Sequence, residues 1–146
     1  MRADKFTIKS REAIADAQEL AQERQHAEVK PIHLLHSLLD QREGIVVPII
    51  EKLGVGVDRL REGVRGELDR LGRVEGGHLS MSNELSDVFR VAQKEADALQ
   101  DEYVSTEHLL LALAQSNDKT GDVLRAHGVE GDSVQDAMKE VRGSQR

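Results

Sequence analysis

Apolar residues recur along this chain at three- and four-residue steps, the spacing that places side chains on one face of an α-helix. Ile14, Ala17, Leu20 and Ala21 make such a face in the first segment. Thr7 stands where an N-cap hydroxyl would accept from an unpaired backbone N–H. A second helix is predicted from Pro31, carrying Leu34, Leu35, Leu38 and Leu39. Proline suits a first helical position because its missing N–H would have no partner there. A short third helix, Ile45 to Leu53, stops at Gly54, the residue type that tolerates a left-handed cap. Asp58 is then expected to cap a fourth, Arg59 to Leu71, in which Gly63 and Gly66 each cost roughly 1 kcal/mol relative to alanine.

Residues 72–80 are glycine-rich and lack periodicity, so they read as a linker. The pattern then starts again. Ser82 is expected to cap a helix carrying Leu85, Val88, Phe89, Ala92, Ala96 and Leu99, and Ser105 the next, with Leu109, Leu110 and Leu113. Two shorter helices follow, around Val123-Leu124 and Val134 to Met138, on either side of Gly128.

Sliding the chain on itself by 75 residues exposes an internal repeat. Between 7–42 and 82–117 the identities are Ala17/Ala92, Gln18/Gln93, Ala21/Ala96, Gln25/Gln100, Val29/Val104, His33/His108, Leu34/Leu109, Leu35/Leu110 and Leu38/Leu113. Composition alone would give roughly two. A slip to an offset of 74 pairs Gly54/Gly128, Val55/Val129 and Asp58/Asp132. The matches fall on caps, core positions and helix stops together. The chain therefore reads as all-α: two pseudo-symmetric four-helix repeats forming one eight-helix domain over residues 1–142. Repeat 1 spans about 6–71, the linker 72–80 and repeat 2 about 81–142, with 143–146 a tail or the start of an interdomain linker.

Composition narrows what such a domain can do. With 146 residues the chain supports one domain with a real core. Phe6, Phe89 and Tyr103 are its only aromatics, so the core is aliphatic and stacking platforms for bases are nearly excluded. A net charge of −7 disfavours nucleic acid and anionic membrane as partners, and no basic recognition helix appears. Without cysteine there is no disulfide scaffold, thiolate nucleophile or Cys-ligated zinc site. No apolar run approaches the ~18 residues of a membrane span, and the N-terminus lacks a signal-peptide stretch; a cytoplasmic location is the default expectation.

Two units, each a helix followed by Val-x-x-x-His-Leu-Leu and later a Gly-Val stop, resemble the N-terminal domains of the Clp ATPase family. Three stretches resemble the ClpB-type disaggregases within that family: Asp4-Lys5-Phe6-Thr7, Arg73-Val74-Glu75-Gly76-Gly77, and the thirteen residues from Asp101 to Leu113. The likeness spans about residues 1–142 and implies an all-α fold of two repeats. It also implies a non-catalytic, substrate-engaging domain preceding two AAA+ ATPase modules. Such a domain binds unfolded or aggregated polypeptides weakly, through an apolar groove with a polar rim. ATP and magnesium would belong to those modules: this chain has no Gly-x-x-x-x-Gly-Lys-[Ser/Thr] loop and is expected to be an excised domain. The resemblance further implies a monomer for the isolated domain, a homohexamer for the whole protein, and the DnaK system or adaptor proteins as further partners.

Carried over position by position, the groove residues are Thr7, Val91, Glu95, Asp101, Glu107 and His108. Thr7, Asp101 and Glu107 would be its polar rim and Val91 its apolar floor, while Glu95 and His108 stand where related domains present apolar side chains. Each also has a plainer reading. Thr7 is an N-cap on any account, and Glu107 lies in a first helical turn, where the helix dipole favours a carboxylate. Asp101 can be a solvated turn residue, and Val91 adjoins core-phase Ala92.

ClpA- and ClpC-type relatives supply the rival reading, a docking site for adaptor proteins or phosphoarginine. The resemblance to ClpC implies paired pockets, each with a glutamate just before the repeat's histidine. Here Glu107 has that place in the second repeat but Ile32 in the first, so at most one pocket could be complete. His33 and His36 lie three residues apart on one helix, yet a closed zinc site needs further ligands and no His-Glu-x-x-His pattern is present. The recurrence of His33 as His108 favours packing or hydrogen bonding just after a helix start. A nucleophile elbow is absent too.

Overall fold

A computed structural model describes residues 3–144. After a 3-10 turn (Ala3–Lys5) come α1 (Ile8–Glu23), β1 (Glu28–Val29), α2 (Pro31–Asp40), α3 (Val46–Lys52) and α4 (Val57–Asp69). The second half runs β2 (Ser80–Met81), α5 (Asn83–Ala98), α6 (Thr106–Ala114), α7 (Lys119–Ala126) and α8 (Gly131–Ser144). The fold is all-α, and the strands are two-residue stitches.

The stitches tie the halves together reciprocally. Val29 of the first half pairs in parallel with Met81 at the entry to the second, and Val104 of the second pairs in parallel with Phe6 at the entry to the first. Ser82 N–H donates to the Val29 carbonyl and Thr7 N–H to the Val104 carbonyl, each at 3.0 Å. The two loops between the first and second helices of each repeat turn alike. Gln25 and Gln100 adopt left-handed backbone (φ 60° and 59°), so that the N–H of the next residue reaches the carbonyl of Ala21 or Ala96 at 2.9 Å. Gly54 and Gly128 share positive φ at the later helix stops. The internal repeat is thus a repeat of backbone geometry.

α2 and α6 form the centre. Every residue of α6 is buried, and α2 is buried at Pro31, Ile32, His33, Leu34, Leu35, Ser37, Leu38 and Leu39. A helix apolar on all sides packs on all sides: α1 lies against α2, α5 against α6, and α4, α7 and α8 close the remainder. Phe6 and Phe89 meet edge to face at 5.8 Å, and the rest of the core is aliphatic. His33 and His108 sit within these central helices, so their ring nitrogens need partners inside the protein.

Thr7 and Ser82 cap α1 and α5 as their types require, accepting from Ser10 N–H (3.2 Å) and Leu85 N–H (3.1 Å). Two details differ from the sequence reading. α4 begins at Val57 with Gly56 as its N-cap, and Asp58 lies exposed in the first turn, paired with Arg61 at 3.3 Å. α8 runs on through Gly143 to Ser144, past the expected start of the tail; residues 145 and 146 lie outside the described residues. Gly63 costs α4 propensity but admits close packing, since a Cβ there would stand 3.0 Å from His127 Cε1 and 3.4 Å from Val123 Cγ1.

Gly121 is more tightly constrained. Asp118 caps α7 by accepting from Gly121 N–H at 3.2 Å, and a Cβ on Gly121 would overlap the Ser116 carbonyl. Gly121→Ala is therefore expected to lower unfolding stability by about 2 kcal/mol despite alanine's better helix propensity. Urea titration checks it, and an unchanged or raised midpoint would show that the 116–118 loop yields freely.

Candidate functional site

The residues singled out from sequence fall in three places. Asp101, Glu107 and His108 meet in one cluster, where α5 hands over to α6. His108 is the third residue of α6 and is fully buried. Its Nδ1 accepts from the Ser105 backbone N–H at 2.9 Å, and Ser105 Oγ lies 2.9 Å from the same nitrogen. A neutral ring accepting at Nδ1 carries its proton on Nε2, which donates to Asp101 Oδ2 at 2.7 Å. That oxygen also accepts from Arg142 Nη2 at 2.9 Å, while Arg142 Nε donates to Glu107 Oε2 at 2.9 Å. Burial works against ionisation of Asp101, but the hydrogen bonds from Arg142 and His108 and the charge of Arg142 prevail and hold its carboxyl below the usual range. For Arg142, burial likewise opposes the charge, and the two carboxylates more than restore it.

Thr7 adjoins this cluster through Val104. Its hydroxyl accepts from Ser10 N–H and donates to Ser10 Oγ at 3.0 Å, and Ser10 Oγ donates to the Val104 carbonyl at 3.0 Å. Ile8, the first residue of α1, is 66% exposed, and Tyr103, next to Val104, is 48% exposed. The Thr7–Val104 hydrogen bond thus joins two segments that each carry an exposed large apolar side chain beside polar groups.

Val91 and Glu95 line separate depressions. Val91 is in the wall of one of about 620 Å³, together with Ile32, Leu71, Val88 and Ala112, under charges from Glu84, Asp87, Lys119 and Asp122. At the equivalent place in the first half, between α1 and the loop after α2, hydrogen bonds run from Lys9 Nζ to the Arg42 carbonyl (3.1 Å) and from Gln41 Nε2 to the Lys9 carbonyl (2.8 Å). Glu95 lines a depression of about 530 Å³ and accepts from Gln135 Nε2 at 3.3 Å.

The first repeat shows what is special in the second. At the places of Asp101, Glu107, His108 and Arg142 it has His26, Ile32, His33 and Leu68. His33 Nδ1 accepts from Lys30 N–H at 2.8 Å, so its Nε2 carries the proton and donates to His26 Nδ1 at 2.8 Å. A histidine replaces the aspartate as acceptor, and two aliphatic residues replace the Glu–Arg pair. Among the described residues no three or more His, Cys, Asp or Glu side chains are grouped to hold a metal ion, and no helix is long and apolar enough to cross a membrane.

Arg142 is the residue that sequence reading missed. Its partners lie 35 and 41 positions away on other segments, beyond any periodic signal. The repeat alignment does carry a trace: relative to Ile32 and Leu68, repeat 2 has exchanged two apolar residues for charges of opposite sign.

The profile of the Clp repeat (R) N-terminal domain family matches residues 5–127. The chain belongs to this family. It is 37% identical over 146 residues to the chaperone protein ClpB of Rhodopirellula baltica, covering 99% of this chain. The Hsp104 N-terminal domain of Candida albicans superposes with a TM-score of 0.84 at 23% identity, covering 97% of this chain and 94% of that one. A ClpV N-domain in complex with a VipB peptide does so at 0.76 and 21% identity, covering 94% and 87%. The chain spans 17% of the length of the ClpB relative. The Clp N-domain described here is a non-catalytic domain, and its fold is that of the Hsp104 N-domain.

Proposed function

We propose that this Clp N-domain is the N-terminal substrate-engaging module of a ClpB-type ATP-dependent disaggregase. It binds unfolded or aggregated polypeptide weakly where α1 begins and α5 leads into α6. The observation that carries the reading is the pair of exposed apolar side chains, Ile8 and Tyr103, on segments joined at Thr7 and Val104 beside the carboxylates of Asp101 and Glu107. Apolar contact without deep enclosure suits a promiscuous and reversible grip, because ordering an unfolded chain offsets most of what a small surface gains. Thr7, Asp101 and Glu107 form the rim, and His108 positions Asp101 from within the core. Val91 provides apolar floor in the large depression for a longer bound chain, and Glu95 is the polar edge of its neighbour. The complex of a ClpV N-domain with a VipB peptide supports peptide engagement by this fold. The AAA+ modules that would use the captured chain, their hexamer, the DnaK system and a cytoplasmic setting belong to the same proposal.

Replacing Ile8 and Tyr103 together by serine is expected to weaken binding of a permanently unfolded model protein about tenfold, at the ~25 cal/mol per Å² typical of apolar burial. Folding should be unchanged, because both side chains are exposed. Fluorescence anisotropy measures the affinity, and equal binding by the variant would remove this surface from consideration. Docking of phosphoarginine in paired pockets is not favoured, because Ile32 stands at the place of Glu107 in the first repeat and supplies no carboxylate there.

A further inference from the structure

The two carboxylates of the rim are already engaged by the chain itself. From the last turns of α8, the Arg142 guanidinium spans Glu107 in the first turn of α6 and Asp101 in the preceding connection, at 2.9 Å to each. Glu107 is buried and requires a cation. Arg142 and Asp101, by contrast, keep 31% and 28% of their side-chain exposure, so another cation can reach the pair from solvent without prior unfolding. At the equivalent place the first repeat has Ile32 and Leu68, both buried and neither able to bind a cation.

Resting on the substrate-engaging reading of this surface, we infer that Arg142 is a displaceable ligand in cis: an arginine side chain of the bound polypeptide exchanges with it at Asp101 and Glu107 and releases the end of α8. Exchange of one guanidinium for another conserves the charge-assisted hydrogen bonds. Affinity then comes from apolar contact at Ile8 and Tyr103, and preference for basic segments comes from the two carboxylates. The cis arginine lowers apparent affinity by the fraction of time its site is open, which keeps capture reversible. Occupancy of the rim is thereby reported at the end of the last described helix.

The Nε–H resonance of Arg142, held by Glu107, is the readout. The 146-residue chain is titrated with a short disordered peptide of leucine and arginine, and in parallel with a twin carrying uncharged citrulline in place of arginine. The arginine peptide is expected to shift Thr7, Ile8 and Tyr103, to abolish the protection of the Arg142 Nε–H, and to raise amide exchange in the last turn of α8. The citrulline twin should bind about tenfold more weakly and leave Arg142 protected. Binding of both peptides with Arg142 unchanged overturns the exchange while leaving the substrate-engaging surface standing. Absence of shifts at Thr7, Ile8 and Tyr103 with either peptide overturns both. Arg142→Ala, checked for folding by circular dichroism, is expected to bind the arginine peptide several-fold more tightly, and unchanged affinity counts against the exchange.

Discussion

Acidification from pH 7 to pH 4.5 is expected to remove about 2.5 kcal/mol of stability through His33 alone. Burial, followed by the charge of His26, pushes His33 down from 6.5 to about 4. The geometry explains why the ring resists a proton. Nδ1, the only nitrogen free to take one, accepts from Lys30 N–H, and a proton there would face that donor directly. His26 is held in the same way: the nitrogen turned towards His33 accepts from its Nε2–H, and burial, then Arg24 and Arg73, lower its affinity for protons. In the unfolded chain these rings titrate normally, so between pH 6.5 and 4 the unfolded state binds more protons than the folded one. Stability therefore falls as pH drops through that window, and His33 contributes no further loss below it. Burial lowers His36 as well, and its loss has the same sign. His33→Gln keeps an acceptor for the N-cap N–H, as glutamine does in a capping box, and cannot titrate. Unfolding free energies from urea titrations at the two pH values should differ by about 2 kcal/mol less in this variant than in the parent. Equal differences in the two proteins would exclude His33 as the origin of the acid sensitivity.

The dyad also shows where sequence reading succeeds and where it stops. Identity of His33 and His108 at one helix position pointed to hydrogen bonding at the helix start, and both rings do cap their helices through Nδ1. Thr7, Ser82, Pro31 and the Gly54 and Gly128 stops were readable because a cap or a left-handed turn is decided within four residues. Asp58 lies inside α4 rather than capping it because Gly56 starts the helix two residues earlier, and a side chain's local preference yields to where the chain enters the bundle. What the other end of each histidine does is a tertiary matter. Nε2 meets His26 in one half and Asp101 in the other, and only the fold brings Arg142 to Asp101 and Glu107. The six groove positions are distributed likewise: three gather around Arg142, Thr7 adjoins them through Val104, and Val91 and Glu95 open onto other depressions.

Arg142→Leu is expected to lower stability by about 2 kcal/mol, less than the ~3–5 kcal/mol of a fully buried pair because the guanidinium is partly exposed. The loss arises from Glu107, left buried without a cation. Glu107→Ile should cost under about 1 kcal/mol, since Arg142 keeps Asp101 and partial access to water. The decisive variant combines them. Glu107→Ile with Arg142→Leu transplants the residues that occupy the same places in the first repeat, where Ile32 and Leu68 are buried. Its stability should return to within about 0.5 kcal/mol of the parent, giving a coupling energy of about 2 kcal/mol in the double-mutant cycle. Additive losses would mean that the two repeats have diverged in backbone as well as in side chains, so that an aliphatic pair no longer fits. Recovery has a sharper consequence. If an aliphatic pair stabilises this corner as well as the ionic one, stability does not explain the charges in the second repeat, and their use lies in what the exposed half of the pair, Arg142 and Asp101, can exchange with.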